Sequence, residues 1–143
     1  MTAWRKLASL SPPDRRLVLQ AAALAAAVSV ALHVAPFRLV RAALARVARP
    51  SRGAHLPVLR IVWAVTAATH RVPGANGCLV RALVAQALLA HHGHPAALRI
   101  GVTRRPAGAV TAHAWVESDG RIVVGDAERP GFSPLPSLEE AGL

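Results

Sequence analysis

The sequence contains one cysteine, no tyrosine and one lysine among its 143 residues. With a single cysteine no disulfide can form within the chain, which fits a reducing cytosol and leaves the thiol of Cys78 free to react. Aromatic residues account for only 3% of the chain. Stacking platforms of the kind that bind single-stranded nucleic acid are therefore not expected.

Acidic residues are also scarce, because 7 Asp and Glu stand against 17 Lys and Arg and give a net charge of +10. The basic residues are scattered through every segment and all but one are arginine, which indicates a compositional bias of the source genome as much as a nucleic-acid surface. A basic surface that faces an acidic peptide or partner remains open. The length predicts one domain, residues 1–143, with a buried core.

The first half of the chain carries helical signals. After a short lead, residues 1–11, we predict helices over about 14–35, 37–47, 56–70 and 78–92. The first is apolar and long enough to cross a membrane. Its alanine content and the helical spacing of its bulkier residues favour a helix packed in a bundle; those residues are Leu17, Leu24, Val28 and Leu32.

The pattern changes to a period of two after Pro95, which predicts strands over about 97–103, 109–117 and 121–126. The fold class is therefore α+β, with amino-terminal helices packed on a short antiparallel sheet. The Cys78 helix is expected to lie against that sheet through one face, which carries Cys78, Ala82, Ala85 and Leu89. We expect a helical part at 1–70, a core at 71–127 and an irregular tail at 128–143.

Cys78 follows a loop of turn-forming residues, 73–77, and falls in the first turn of the next helix, with Asn76 or Gly77 as the N-cap. The free N–H groups and the helix dipole at that position favour a thiolate and can stabilise an oxyanion. A lone cysteine is also commonly a small buried core residue. Cys78 is thus a candidate nucleophile with a structural alternative.

Asp119-Gly120 predicts a two-residue hairpin turn. An unbroken register counted from that turn sets His113 opposite Asp126, with Cβ atoms about 4.5–5.5 Å apart. A cysteine with an imidazole and a carboxylate is the constellation that acyl transfer uses. Asp119 is the competing carboxylate, but the turn should direct it to solvent. Trp115 shares the face of His113 and is expected either to wall the substrate site or to be a core aromatic.

Three segments and a dipeptide carry a family resemblance: Cys78-Leu79-Val80-Arg81-Ala82-Leu83, Ala96-Ala97-Leu98-Arg99-Ile100-Gly101-Val102, Ala112-His113-Ala114-Trp115-Val116-Glu117 and Gly125-Asp126. Over about residues 70–127 they resemble the transglutaminase-like peptidase core of the lasso peptide biosynthesis B proteins, and the preceding helices resemble the amino-terminal part of the stand-alone form. The resemblance implies a papain-like cysteine protease, without a cofactor, that removes the leader peptide from a ribosomally made precursor. It implies Cys78 as nucleophile, His113 as general base and acid, and Asp126 as the orienting carboxylate.

The resemblance also implies partners. Fused members carry a small winged-helix-like domain that grips the leader, and no segment of this chain reads as one, so we expect a separate leader-recognition protein. A lasso cyclase would then take the product. The expected docking surface is either the basic residues Arg38, Arg41 and Arg46 or the apolar helix 14–35. We expect a cytoplasmic protein, with membrane association left open and no nucleic-acid partner.

Two other functions fit the same residues. An acyltransferase would resolve the thioester with an amine instead of water. A non-catalytic, membrane-associated or partner-binding module would insert residues 14–35 and use Cys78 structurally. His91, His92 and His94 could hold a metal. At a helix end, however, their positive charge complements the helix dipole, and no metal is expected. Trp63 is expected in the core.

Overall fold

Five helices and four strands make up the described part of the chain, which comprises residues 3–53, 55–75, 77–104, 108, 110–125 and 133–134 of the computed structural model. The strands form one antiparallel sheet in the order β3-β2-β1-β4. The α+β prediction is confirmed. The elements are α1 (Ala3–Ala8), α2 (Pro12–Val34), α3 (Phe37–Val47), α4 (Val58–Thr69), α5 (Cys78–His91), β1 (Ala97–Arg104), β2 (Val110–Ser118), β3 (Arg121–Val124) and β4 (Ser133–Pro134).

The start of α2 shows why the sequence placed this helix well. Ser11 is the N-cap and its hydroxyl accepts from the backbone N–H of Asp14, while prolines occupy the first helical positions, where no donor is lost. Hydrogen bonds from Ser11 and then from Arg60 lower the pKa of Asp14. The ion pair of Asp14 with Arg60 also ties α2 to α4. One helix, α1, lies in the lead where none was expected.

Helix α5 lies at the centre of the fold. It packs against α2, α3 and α4 and also against β1, β2 and β3. Ala82, Ala85 and Leu89 are fully buried, so the face predicted to pack is confirmed. The helix that begins with the only cysteine is therefore laid against the sheet, as the sequence indicated.

Helix α2 is only partly enclosed. Leu17 and Val28 are buried, and Leu24 and Leu32 pack against the core from partly buried positions, which supports the bundle interpretation. The helix is nevertheless long and apolar enough to cross a membrane, and 33% of its most apolar window is buried. Core helices and signal sequences share those properties, so α2 is compatible with a soluble or a membrane-associated protein.

Trp63 corrects one expectation. It was expected in the core, but 44% of its surface is exposed. It lies on α4, where Ile61, Ala64 and Val65 are fully buried instead. Apolar residues fill nearly the whole of this helix, so the sequence pattern could not decide which of them face inward.

The hairpin of β2 and β3 departs from the predicted register. Asp119 and Gly120 have positive φ angles of 50° and 76°, as a type I′ turn requires, and Ser118 pairs with Arg121 as expected. A bulge then intervenes, so Val116 pairs with Val124 where Val123 was expected. The unbroken register was therefore wrong from Val116 onward.

Gly125 gives the physical reason for that correction. Its φ is +89°, and a Cβ built there would lie 2.7 Å from the Cβ of Trp115. Backbone approach this close requires glycine. Position 126 can no longer be set opposite His113 by counting from the turn, and Asp126 itself lies outside the described residues. Ser133 and Pro134 pair with β1, although an irregular tail was expected there.

Candidate active site

Cys78 is the first residue of α5, and Gly77 is its N-cap, with φ −69° and ψ 151°. Asn76, the other candidate cap, lies outside the described residues. The first helical hydrogen bond runs from Arg81 N to Gly77 O at 3.2 Å, so the preceding N–H groups have no acceptor within the helix. Cys78 is partly buried and packs against the hydrophobic core. The thiol is thus partly exposed to solvent, while its position is fixed by the core residues around it.

The loop before Cys78 is held by α2. The hydroxyl of Ser29 donates to the carbonyl of Gly74 at 3.2 Å, and Gly74 has a φ of +78°. A Cβ at Gly74 would lie 3.3 Å from the hydroxyl oxygen of Ser29. Ser29 interrupts an apolar helix because it binds this loop, and α2 therefore helps to set the position of Cys78.

His113 lies on β2 and is half-buried. Its ring stacks on Trp115, with centroids 6.3 Å apart and an interplanar angle of 21°. Trp115 is 3% exposed, and its Nε1 donates to Glu117 Oε1 at 3.1 Å. Arg99 Nε lies 3.5 Å from Glu117 Oε2. A chain of contacts from Arg99 through Glu117 and Trp115 therefore supports the imidazole.

Sequence reasoning missed the parts that Glu117 and Arg99 play in this chain. The register of β1 with β2 would have revealed them. It sets Arg99 opposite Trp115 and Ala97 opposite Glu117, so Arg99 and Glu117 are diagonal neighbours. Nothing in the sequence supplied that register, since the connection between the two strands has no two-residue turn from which to count. The prediction that Trp115 shares the face of His113 is confirmed, while its use as a substrate contact stays a prediction.

Helix α5, which begins with Cys78, packs against β2, the strand that bears His113. Ala114 and Val116 alternate with His113 and Trp115, and both belong to the hydrophobic core that includes α5. Alternate side chains of a strand point to opposite faces, so His113 and Trp115 lie on the face of β2 opposite to that of Ala114 and Val116. The pairing of the Cys78 sulfur with the His113 ring stays a prediction.

Of the two candidate carboxylates, only Asp119 belongs to the part of the chain that the structure describes. Asp119 is exposed in the turn between β2 and β3, as expected for a side chain directed to solvent. Asp126 lies outside the described residues, so its role as the orienting group stays a prediction.

The histidines at the end of α5 bind a connecting segment. His91 Nδ1 lies 3.0 Å from Arg49 O, and His92 Nδ1 accepts from the N–H of Leu56 at 3.3 Å. Burial and then the charge of neighbouring histidines lower the pKa of His92. Within the described ranges, no group of three or more His, Cys, Asp or Glu side chains could hold a metal ion. These histidines therefore hold the segment before α4 to the end of α5.

Comparison with known proteins gives one match. The sequence model of the family described as the transglutaminase-like superfamily matches residues 17–137. No curated protein and no solved structure matches the chain. The matched range runs from α2 to beyond β4, so it takes in both Cys78 and His113.

Proposed function

The chain belongs to the transglutaminase-like superfamily, and we propose that it is a cysteine peptidase that removes the leader peptide from a ribosomally synthesised lasso peptide precursor. The superfamily includes cysteine proteases and acyltransferases. The observation that supports the proposal is the place of Cys78, the first residue of the central helix α5, a helix that packs against the strand that bears His113. The finer assignment, to lasso peptide leaders, rests on the sequence resemblance.

The reaction begins when His113 takes the proton of the Cys78 thiol and the thiolate attacks the carbonyl carbon of the leader-core amide. The N–H groups of the first turn of α5 stabilise the oxyanion. The C–N bond then breaks, and His113 gives its proton to the leaving amine, so the core peptide departs with a free amino group. The leader remains as a thioester on Cys78. Water, which loses a proton to His113, hydrolyses that thioester, and the leader departs as a carboxylate.

Asp126 is the proposed third member of the site. It accepts a hydrogen bond from the second ring nitrogen of His113 and so fixes the tautomer and orientation of the ring. Asp119 is the alternative, but its exposure in the turn argues against it. Replacing each aspartate by asparagine separates the two, because the Asp126→Asn variant should lose more cleavage than the Asp119→Asn variant.

The proposal includes partners and no cofactor. A separate leader-recognition protein delivers the precursor in the cytoplasm, and a lasso cyclase takes the core peptide for ring closure. Arg38 and Arg46 are exposed on α3 and Arg41 is half-buried there, which gives an acidic partner a basic surface to bind.

Mass spectrometry of a leader-core precursor tests the proposal. The precursor is incubated with this protein and its leader-recognition partner, and the wild type is compared with the Cys78→Ala variant. The proposal requires a leader fragment and a free core with the wild type alone. No cleavage by a folded wild-type sample would contradict it. A leader fragment that carries an added amine in place of a free carboxylate would identify an acyltransferase.

A non-catalytic, membrane-associated module is the second candidate. The exposure of Val30 (63%) and Val34 (78%), one helical turn apart on α2, favours it, because contiguous exposed apolar surface marks sites of contact with a membrane or a protein. Membrane fractionation together with alkylation of Cys78 separates the two candidates. The module predicts a membrane-bound protein with an unreactive thiol, and the peptidase predicts a reactive thiol in either fraction.

A further inference from the structure

An apolar groove of about 570 Å³ lies between α1, α2 and α4, and none of its described lining residues belongs to a strand. Its volume falls in the range of sites that bind small molecules or short peptide segments. Neither the peptidase mechanism nor the hydrophobic core accounts for it. The residues that line it include Lys6, Leu19, Trp63, Arg71 and Val72.

The walls of the groove are held in place. The guanidinium of Arg15 donates to Ala8 O at 3.0 Å and to Leu10 O at 3.2 Å, which fixes the end of α1 against α2. Two large apolar residues remain open in the groove, since Leu19 is 49% exposed and Trp63 is 44% exposed. A half-exposed tryptophan in a concave site is typical of a residue that contributes strongly to binding.

The charge of the groove has one sign. Among the described residues that line the groove, the charged ones are Lys6 and Arg71. Arg71 donates to the carbonyl of Ala67 at 2.9 Å, and the ion pairs found among the described residues, Asp14 with Arg60 and Glu117 with Arg99, involve neither cation. An apolar occupant with carboxylates beside it would therefore complement this groove.

The position of the groove relates it to Cys78. Arg71 and Val72 lie directly before the loop 73–77 that leads into α5. Val72 lies six positions before Cys78, so the Cα atoms of the two residues are at most about 20 Å apart. A peptide with its scissile amide at Cys78 needs only about six residues to reach this end of the groove.

We propose that this groove binds an apolar stretch of the peptide substrate that is flanked by carboxylates. This inference rests on the proposed function for the identity of the occupant, because a peptidase must hold its substrate beyond the cleaved bond. A peptide segment fits the observations better than a lipid surface, since the groove is concave and its two cations are exposed, where each can meet a carboxylate that flanks an apolar stretch. Leu19 and Trp63 take the apolar side chains, and Lys6 and Arg71 take the carboxylates.

Binding to the Cys78→Ala variant tests the inference without cleavage. Two pools of ten-residue peptides are used, each with four central positions randomised among Leu, Ile, Val and Phe. Glutamates flank those positions in the acidic pool, and lysines flank them in the basic pool. Peptides retained on the immobilised protein are quantified by mass spectrometry. We expect the acidic pool to be retained at least tenfold more than the basic pool.

Variants of the groove give the decisive comparison. Trp63→Ala should abolish retention, whereas Leu59→Ala, a change at an 80% exposed residue of the same helix, should not. The double variant Lys6→Glu, Arg71→Glu should reverse the preference between pools, and Arg52→Glu should leave it unchanged. Equal retention of both pools, or retention that Trp63→Ala does not affect, would overturn the inference.

A vesicle assay and a cleavage assay separate the remaining outcomes. Retention of neither pool, together with binding to phosphatidylglycerol vesicles that Trp63→Ala abolishes, would overturn the inference and identify the groove as a lipid site. Retention of the acidic pool by a protein whose wild type cleaves no precursor would contradict the proposed function alone. Cleavage of the precursor by a protein that retains neither pool would contradict only the claim that the groove binds the substrate.

Discussion

The imidazole of His113 stacks on the indole of Trp115, with ring centroids 6.3 Å apart and 21° between the ring planes. The indole is fixed in turn by its hydrogen bond to Glu117 and by the ion pair of Glu117 with Arg99. A buried aromatic side chain on its own strand therefore helps to orient the proposed general base.

Replacing Trp115 by alanine should lower cleavage without unfolding the site as a whole. Loss of the stacked ring frees the imidazole to turn, and misplacement of a catalytic group by about 1 Å can cost on the order of 100-fold in rate. We expect kcat to fall about 10- to 100-fold with little change in KM, and Trp115→Phe to restore most of it. Steady-state kinetics on samples matched by circular dichroism measure this, and full activity of the alanine variant would contradict the positioning role.

Ser29 should affect the site from a distance. Its hydrogen bond to Gly74 holds the loop that leads into Cys78, and the net loss of one such bond is about 1 kcal/mol. Ser29→Ala should therefore lower the free energy of unfolding by about that amount and also lower kcat. Ser51→Ala, at an exposed connector position, is the matched control. Unchanged kcat in Ser29→Ala would show that α2 does not position the loop.

The helices and the place of Cys78 were predictable because local signals define them. Caps, prolines and helical spacing set the bounds of α2 and α3, and a turn-rich loop before an apolar run placed Cys78 at the start of α5. The bulge in β3 was not predictable. It depends on the close approach of Gly125 to Trp115, a tertiary contact that no count from the turn contains.

The exposed position of Trp63 was unpredictable for a related reason. Helix α4 is apolar on most of its surface, so periodicity gives little information about which side faces inward. The groove beside Trp63 also depends on α1, a helix of six residues that carries no clear sequence signal.

Gly125 should tolerate no side chain. An added Cβ would lie 2.7 Å from the Cβ of Trp115 and 2.9 Å from the carbonyl oxygen of Ala114, and the φ of +89° is itself unfavourable for alanine. We expect Gly125→Ala to lower the free energy of unfolding by at least about 1 kcal/mol, measured by urea denaturation. Gly53→Ala is the control, since nothing lies within 4 Å of its Cβ position. Equal stability of the two variants would contradict the close approach.

His92 should make the fold sensitive to mild acid. Its pKa is lowered from 6.5, chiefly by burial, so the unfolded chain binds a proton more readily than the folded one. The stabilisation is complete above pH 6.5 and is lost as the pH falls through 6.5 towards the lowered pKa. Protonation of Nδ1 also removes the acceptor for Leu56 N–H.

The pH dependence of urea denaturation measures this effect. The wild type should lose stability between about pH 7 and pH 5. His92→Gln should start less stable at pH 7.5 and change less over that range, and His70→Gln, an exposed control, should follow the wild type. A His92→Gln variant with the full acid dependence of the wild type would refute the role of this histidine.

The most direct test of the central claim is intact-protein mass spectrometry of an acid-quenched reaction with the leader-core precursor. The account predicts a transient species whose mass is that of the protein plus the leader fragment minus water, with the added mass mapped to Cys78 by peptide digestion. Cys78→Ala should form no such species, while the control Leu59→Ala should form it normally. Cleavage of the precursor with no adduct at Cys78, or with an undiminished rate in Cys78→Ala, would contradict the claim that this cysteine is the nucleophile.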